Sequence, residues 1–137
     1  MTAAIKTPGS CLCGIVQFEI SGGFDAFFLC HCSRCRKNSG SAHGANLFAS
    51  NATIAWQSGE ANIASYRVPD TRHERSFCRS CGSALPGVRM GGALLVVPAG
   101  SLDGPVDIRP TAHICCASRA EWDVNLADVP HIDGLPG

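Results

Sequence analysis

Between residues 26 and 59 the chain has no aspartate or glutamate at all. Charge is scarce everywhere: only 16% of the 137 residues are Asp, Glu, Lys or Arg, and the eleven cations balance the eleven acids. No global basic field exists to hold nucleic-acid phosphates, so no nucleic-acid partner is expected. There is no run of about 18 apolar residues, so no membrane span is expected. Residues 1–10 lack the apolar h-region of a secretory leader, which points to the cytoplasm, where thiols stay reduced. A helical period of 3.6 residues is nowhere sustained, which argues against a helical bundle. A GxGxxG turn, a P-loop and a Ser-His-Asp set are missing as well, which leaves no sign of nucleotide binding or serine-type hydrolysis.

Cysteine is what the chain has in excess: nine residues. In a reducing compartment such clustering points to metal rather than to a disulfide framework. Cys30-His31-Cys32-Ser33-Arg34-Cys35 places three thiols within six positions. Side chains at i and i+2 of an extended segment share a face, and a turn after Cys32 can bring Cys35 back to the same point. Cys11-Leu12-Cys13-Gly14 repeats the i, i+2 pair. Cys78-Arg79-Ser80-Cys81-Gly82 is a Cys-x-x-Cys-Gly zinc-knuckle turn. Zinc takes four ligands in a tetrahedron; a closed set of four cysteines is structural, and an open place marks a catalytic site. Two pairs, Cys11/Cys13 and Cys78/Cys81, make one closed set and leave Cys30, Cys32 and Cys35 as a tripod with one open place. Spacing also allows Cys78 and Cys81 to complete the tripod instead.

The remaining candidates read more plainly. Cys115 and Cys116, if they lie in a strand, point to opposite faces and default to packing, with a fourth ligand to the tripod as the lesser alternative. His31 sits between two ligands and should point away from their metal. His43, His73, His113 and His131 stand isolated in sequence. The acid-free window carries Arg34, Arg36, Lys37, His31 and His43, and Arg72, Arg75 and Arg79 surround the later cysteine pair. These cations are either a solvated face or a field that favours thiolates and attracts an anionic substrate.

The length fits one domain over 1–137, core about 10–130, able to bury about two-thirds of its unfolded surface. Fifteen glycines and eight prolines punctuate short elements. Alternation predicts a half-buried strand at 15–20, with Val16, Phe18 and Ile20 inward. Further strands are expected at 24–30, 42–49 (with His43 inside), 53–57, 63–68, 74–78, 94–97 and 114–117. Residues 33–39 predict a short helix ended by Gly40. Residues 1–9 read as a loose lead-in with a turn at Pro8-Gly9, and the tail after Ala127 as surface chain. The fold class is mostly β.

Cys-Leu-Cys-Gly-Ile-Val-Gln-Phe, Cys-His-Cys-Ser-Arg-Cys-Arg-Lys-Asn-Ser-Gly, Phe-Cys-Arg-Ser-Cys-Gly-Ser, Gly-Ser-Leu-Asp and a late Glu-Trp occur in that order between about Cys11 and Pro130. The set resembles the glutathione-dependent formaldehyde-activating enzyme family, which includes centromere protein V. The resemblance implies an Mss4-like fold of twisted, sandwich-like β-sheets stapled by zinc knuckles. It implies a structural zinc on Cys11, Cys13, Cys78 and Cys81, and a second, catalytic zinc on Cys30, Cys32 and Cys35. Arg34, Arg36 and Lys37 match the family's basic stretch beside that zinc and would hold the carboxylates of a small-molecule thiol such as glutathione. Cys115-Cys116 departs from the pattern, where bulky apolar residues are expected. The implied function is a zinc-dependent carbon–sulfur lyase acting on glutathione and formaldehyde; the alternatives are a thiol carrier without turnover or a zinc-stabilised interaction module.

Overall fold

The computed structural model describes residues 5–137. Over these residues the chain forms β1 (Lys6–Ser10), β2 (Gln17–Ser21), β3 (Ala26–Cys30), α1 (Ser33–Ser39), β4 (Gly44–Ala49), β5 (Thr53–Ser58), β6 (Ile63–Arg67), β7 (Glu74–Cys78), β8 (Ala84–Leu85), β9 (Gly87–Arg89), β10 (Leu94–Pro98) and β11 (Ala112–Ile114). Short 3-10 turns fill several connections. The mostly β expectation holds. The strands form three sheets, ordered β1-β2-β5, β11-β3-β4-β10-β9 and β6-β7-β8. Every pairing is antiparallel except β11 with β3.

The β2 alternation explains how the sheets come together. Val16, Phe18 and Ile20 are fully buried, while Gln17 is exposed and Glu19 half-exposed. Burying side chains of this size is worth about 1.5–3 kcal/mol each. They meet Leu47 and Ala49 of β4, Leu95 and Val97 of β10, and Leu85 of β8. One core therefore draws on all three sheets, and Cys11 and Cys78 are part of it. Phe18 also packs edge-on against Trp56 of β5, with ring centroids 5.6 Å apart.

Three local expectations are corrected. The loose lead-in expected over 1–9, whose first four residues lie outside the described ones, gives way to β1 from Lys6 on, and Pro8-Gly9 is not a turn but lies inside β1, paired with Glu19 and Phe18. An edge strand tolerates proline, and the Pro8 carbonyl accepts from the Asp103 N–H at 2.8 Å. Gly9 is needed there for close approach: a Cβ would collide with the Phe18 ring. His43 precedes β4 rather than lying in it. The expected strand at 114–117 ends at Ile114, because Cys115 turns into left-handed backbone (φ 57°) and a 3-10 turn follows. The tail after Ala127 is exposed, as expected. Among the described residues no helix is long and apolar enough to cross a membrane.

Candidate metal centres

Two knuckles meet between the first and third sheets. Cys11 and Cys13 lie in the β1–β2 connection; Cys78 ends β7, and Cys81 lies in the turn to β8. The turns match in construction. The Gly14 N–H donates to the Cys11 carbonyl (3.1 Å), and the Gly82 N–H to the Cys78 carbonyl (2.8 Å). Both glycines follow the second thiol of their pair and have positive φ, 83° and 76°, a conformation costly for residues with a Cβ. Ser83 ties one knuckle to the other: its hydroxyl accepts from the Leu12 N–H at 2.8 Å and lies 3.2 Å from Cys81 Sγ.

The four sulfurs lie within 4.8 Å of one another. Cys11 and Cys13 are 3.6 Å apart, and Cys13 and Cys78 3.9 Å. A tetrahedron of thiolates at about 2.3 Å from zinc has an edge of about 3.8 Å, so the set fits the ion. Polar groups already face the sulfurs: the Val16 N–H donates to Cys11 Sγ and the Asn62 amide to Cys78 Sγ, both at 3.3 Å. Ser83, through its hydroxyl and N–H, holds Cys81 down at about 5. Cys13 is pushed up to about 11: the Ile15 N–H favours its thiolate, but desolvation and the neighbouring sulfurs outweigh that bond. Four clustered thiols cannot all ionise without a compensating cation.

The tripod stands at the far end of β3, in the second sheet. Cys30 ends the strand, Cys32 caps α1, and Cys35 sits in the helix. Cys32 Sγ accepts from the Cys35 N–H at 3.3 Å. The seven-residue helix stops at Gly40, whose N–H donates to the Arg36 carbonyl at 2.8 Å. All three sulfurs lie within 4.8 Å of one another, and no other acid, histidine or cysteine among the described residues joins either group. Burial pushes Cys30 and Cys35 up. Burial also opposes ionisation of Cys32, but the Cys35 and Arg34 N–H groups and the neighbouring thiols outweigh it and hold that thiol below its usual value. Three soft donors with no fourth from this cluster suit zinc with one exchangeable place. The alternative, in which Cys78 and Cys81 complete the tripod, is not what the fold builds.

Behind the tripod lies a polar network that sequence spacing hides. His31 points away from the sulfurs, as expected, and is fully buried. Its Nε2 is 2.8 Å from His113 Nδ1, and its Nδ1 is 3.1 Å from Asp123 Oδ2. The latter contact is electrostatic rather than an aligned hydrogen bond. Arg119 Nε reaches the same Asp123 oxygen at 3.3 Å. Burial, with Arg119 nearby, lowers the His31 pKa despite Asp123, so the ring is neutral near pH 7. The His43 ring packs 5.2 Å from that of His31. His43 and His113 are therefore not isolated. The parallel pairing of β11 with β3, which sets His113 beside Leu29, brings them together.

In front of the tripod a cavity of about 380 Å³ opens between the second and third sheets. Cys30 and Cys35 stand in its wall. Phe28, Phe48, Leu94, Val96 and Ile114 form an apolar side, and Arg72, Arg75 and Arg89 a cationic one, with His73 beside them. Arg89 is already engaged by Glu74 at 2.9 Å. Arg75 is freer: it stacks on Phe77, 4.9 Å from the centroid, makes one long bond to the Gly82 carbonyl (3.4 Å), and its buried Nε has no partner. Arg34, Arg36 and Lys37 do not line this cavity, although Arg34 is close enough to His73 to lower its pKa, after burial. His73 contacts Asn38 of α1 at 3.4 Å, so it too is less isolated than its sequence position suggests. Cys115 and Cys116 do not take the packing role expected of them: the strand ends before them and both are exposed.

A model of the family described as "Glutathione-dependent formaldehyde-activating enzyme" matches residues 6–118. Among solved structures, the crystal structure of a Rhodobacter sphaeroides protein is similar, with a TM-score of 0.56 and 26% identity, over 77% of this chain and 98% of that one. No curated protein matches the sequence.

Proposed function

Because the chain belongs to the glutathione-dependent formaldehyde-activating enzyme family, whose fold is Mss4-like, we propose that it is a carbon–sulfur lyase-type enzyme that joins glutathione to formaldehyde as S-hydroxymethylglutathione. The observation that carries this reading is the cavity: two of the three tripod cysteines stand in its wall, and so do Arg72 and Arg75, neither of which is in an ion pair with another described residue. Zinc held by Cys30, Cys32 and Cys35 would keep a thiol deprotonated near neutral pH. Arg75, with Arg72 also in the cavity wall, would hold the carboxylates of such a thiol, since guanidinium and carboxylate groups pair in a fixed fork. Arg34, Arg36 and Lys37 would act farther out, drawing an anionic substrate toward the acid-free face.

In the addition, a bond forms between the glutathione sulfur and the carbonyl carbon. The carbonyl π-pair moves to oxygen, which takes up one proton, and the thiol loses one. The apolar side, Phe28 and Phe48 foremost, keeps water away from the carbon while the cationic side fixes the sulfur's orientation. Both a reduced thiol substrate and nine unpaired cysteines suit the cytoplasm. Exchange NMR of glutathione with formaldehyde provides the test. The protein is expected to accelerate adduct exchange, and Cys32→Ser to abolish the acceleration. Thiol binding without acceleration would leave a carrier; neither would leave an interaction module.

A further inference from the structure

Joining a thiol to an aldehyde moves one proton from sulfur to oxygen, and the cavity wall holds one group suited to carry it. Cys30 and Cys35 belong to the tripod, and Arg72, Arg75 and Arg89 stay charged at any working pH. Glu74 is engaged by Arg89 at 2.9 Å and by Arg67 at 3.5 Å. That leaves His73, which alone among the described wall residues can gain and lose a proton freely near neutral pH. Two local constructions place it. In the connection from β6 to β7, the His73 carbonyl accepts from the Val68 N–H at 2.9 Å, and its N–H donates to the Thr71 hydroxyl at 3.1 Å. That hydroxyl donates in turn to the Val68 carbonyl at 2.8 Å. The turn thus fixes the His73 backbone without using its ring. The ring reaches α1, where Nε2 lies 3.4 Å from the Asn38 amide nitrogen. Asn38 follows Cys35 by three residues, so the two are neighbours on one helix face, and both stand in the cavity wall. The imidazole is therefore held against the helix turn next to the one that carries Cys35.

We propose that His73 is a catalytic residue of the addition: its Nε2 takes the thiol proton as the carbon–sulfur bond forms and delivers it to the aldehyde oxygen. The sulfur supplies the electron pair of the new bond, the carbonyl π-pair moves to oxygen, and the returned proton leaves the imidazole neutral for the next turnover. In the reverse direction the same nitrogen takes the hydroxyl proton and gives it back to sulfur. The surroundings suit this role. With the Asn38 nitrogen donating, Nε2 is the unprotonated nitrogen of a neutral ring, and an amide turned over can accept from it once it is protonated. The bond to Asn38 is long, so an incoming thiol can displace it. Burial lowers the His73 pKa, and the cations Arg34 on α1 and Arg75 on β7 lower it further. Arg72 precedes it in the chain, and among the described residues no carboxylate forms an ion pair with it. The ring is therefore the base form near pH 7, and once protonated it is a ready acid. This proposal rests on the proposed function for its reaction, but on no contact between His73 and a metal.

The test uses full-length, zinc-loaded protein and exchange NMR of glutathione with formaldehyde. His73→Gln keeps a polar group toward Asn38 but cannot carry a proton; His73→Ala leaves room for a free imidazole. Exchange is expected to slow about a hundred-fold in both, with glutathione affinity by calorimetry unchanged. Added imidazole should restore the rate in His73→Ala and not in His73→Gln. The unprotonated ring is the working form, so the wild-type rate should fall as the pH drops through the His73 ionisation, and neither variant should show that fall. The ring's own proton NMR titration locates the ionisation independently of activity, and it should lie below the ordinary histidine value. Variants that exchange at the wild-type rate overturn the proposal and leave the proposed function standing. Slow exchange that imidazole does not restore, with the acid-side fall still present, makes His73 a structural residue and overturns the proposal too. No acceleration by the wild type removes the proposed function, and this role with it.

Discussion

The two cysteine clusters use the same atoms for opposite ends. The four-thiol cluster joins the β1–β2 connection to the end of β7, so it fastens the first sheet to the third, and Cys11 and Cys78 belong to the core itself. Its sulfurs meet backbone N–H groups, Asn62 and Ser83. The three-thiol cluster is local, six residues from one strand end into one helix. It opens onto a cavity in front and rests on a His-Asp-Arg network behind. On the proposed reading, one cluster would depend on a metal to hold distant segments together. On the same reading, the other is held by the protein so that a metal there could exchange a ligand. What distinguishes a structural from a working site here is the sequence distance it spans and what stands around it, more than the donors.

The sharpest break in this contrast should come from single thiol removals. Structural zinc supplies about 10–16 kcal/mol of folding free energy in small domains. Cys78→Ser is therefore expected to give unfolded or aggregated protein, and Cys32→Ser a folded one; circular dichroism melts compare them, and equal mild effects would end the division. Metal removal separates the clusters next. A mild chelator should strip one equivalent of zinc without unfolding and the second only with it, as followed by native mass spectrometry. A single ion that leaves only on unfolding would mean that the tripod holds none.

Binding distinguishes the cavity wall from the helix. A charge-assisted contact is worth about 1.5–3 kcal/mol, or roughly ten- to a hundred-fold in affinity. By calorimetry, Arg75→Ala should weaken glutathione by that factor and Lys37→Ala by far less; the reverse order would return the role to α1. The smallest effect belongs to the support behind the tripod. Asp123→Ala removes the carboxylate that faces buried His31 and the Arg119 guanidinium and should cost about 1 kcal/mol, read from the urea midpoint, with both metals retained. Loss of the tripod metal in that variant would show that the network holds the sulfurs directly.

Much of this contrast was legible from residue order alone. The i, i+2 and Cys-x-x-Cys-Gly spacings locate all seven clustered thiols, because knuckles are local and a glycine marks each turn of the closed set. The β2 strand and the Gly40 stop of α1 are local too. What stayed hidden depends on pairing across the chain. His31 and His113 are 82 residues apart, and only the β3–β11 register makes them neighbours. Arg75 was visible as one of several cations near Cys78, but nothing local shows that β7 turns it into the cavity. Pro8-Gly9 misled because an edge strand can absorb both residues when a ring, here Phe18, needs the room.

The parallel strand β11 also sets an order of assembly. As the chain is synthesised from its N-terminus, Cys11, Cys13, Cys78 and Cys81 are all present before β11, Arg119 and Asp123 exist. The clasp between the first and third sheets can therefore close early, on a chain whose tripod still lacks its backing. The tripod reaches its final surroundings only when the last segment returns to lie beside β3. Non-local parallel pairing is intrinsically slow to form, so a nascent chain can already be fastened while its tripod is still without that backing.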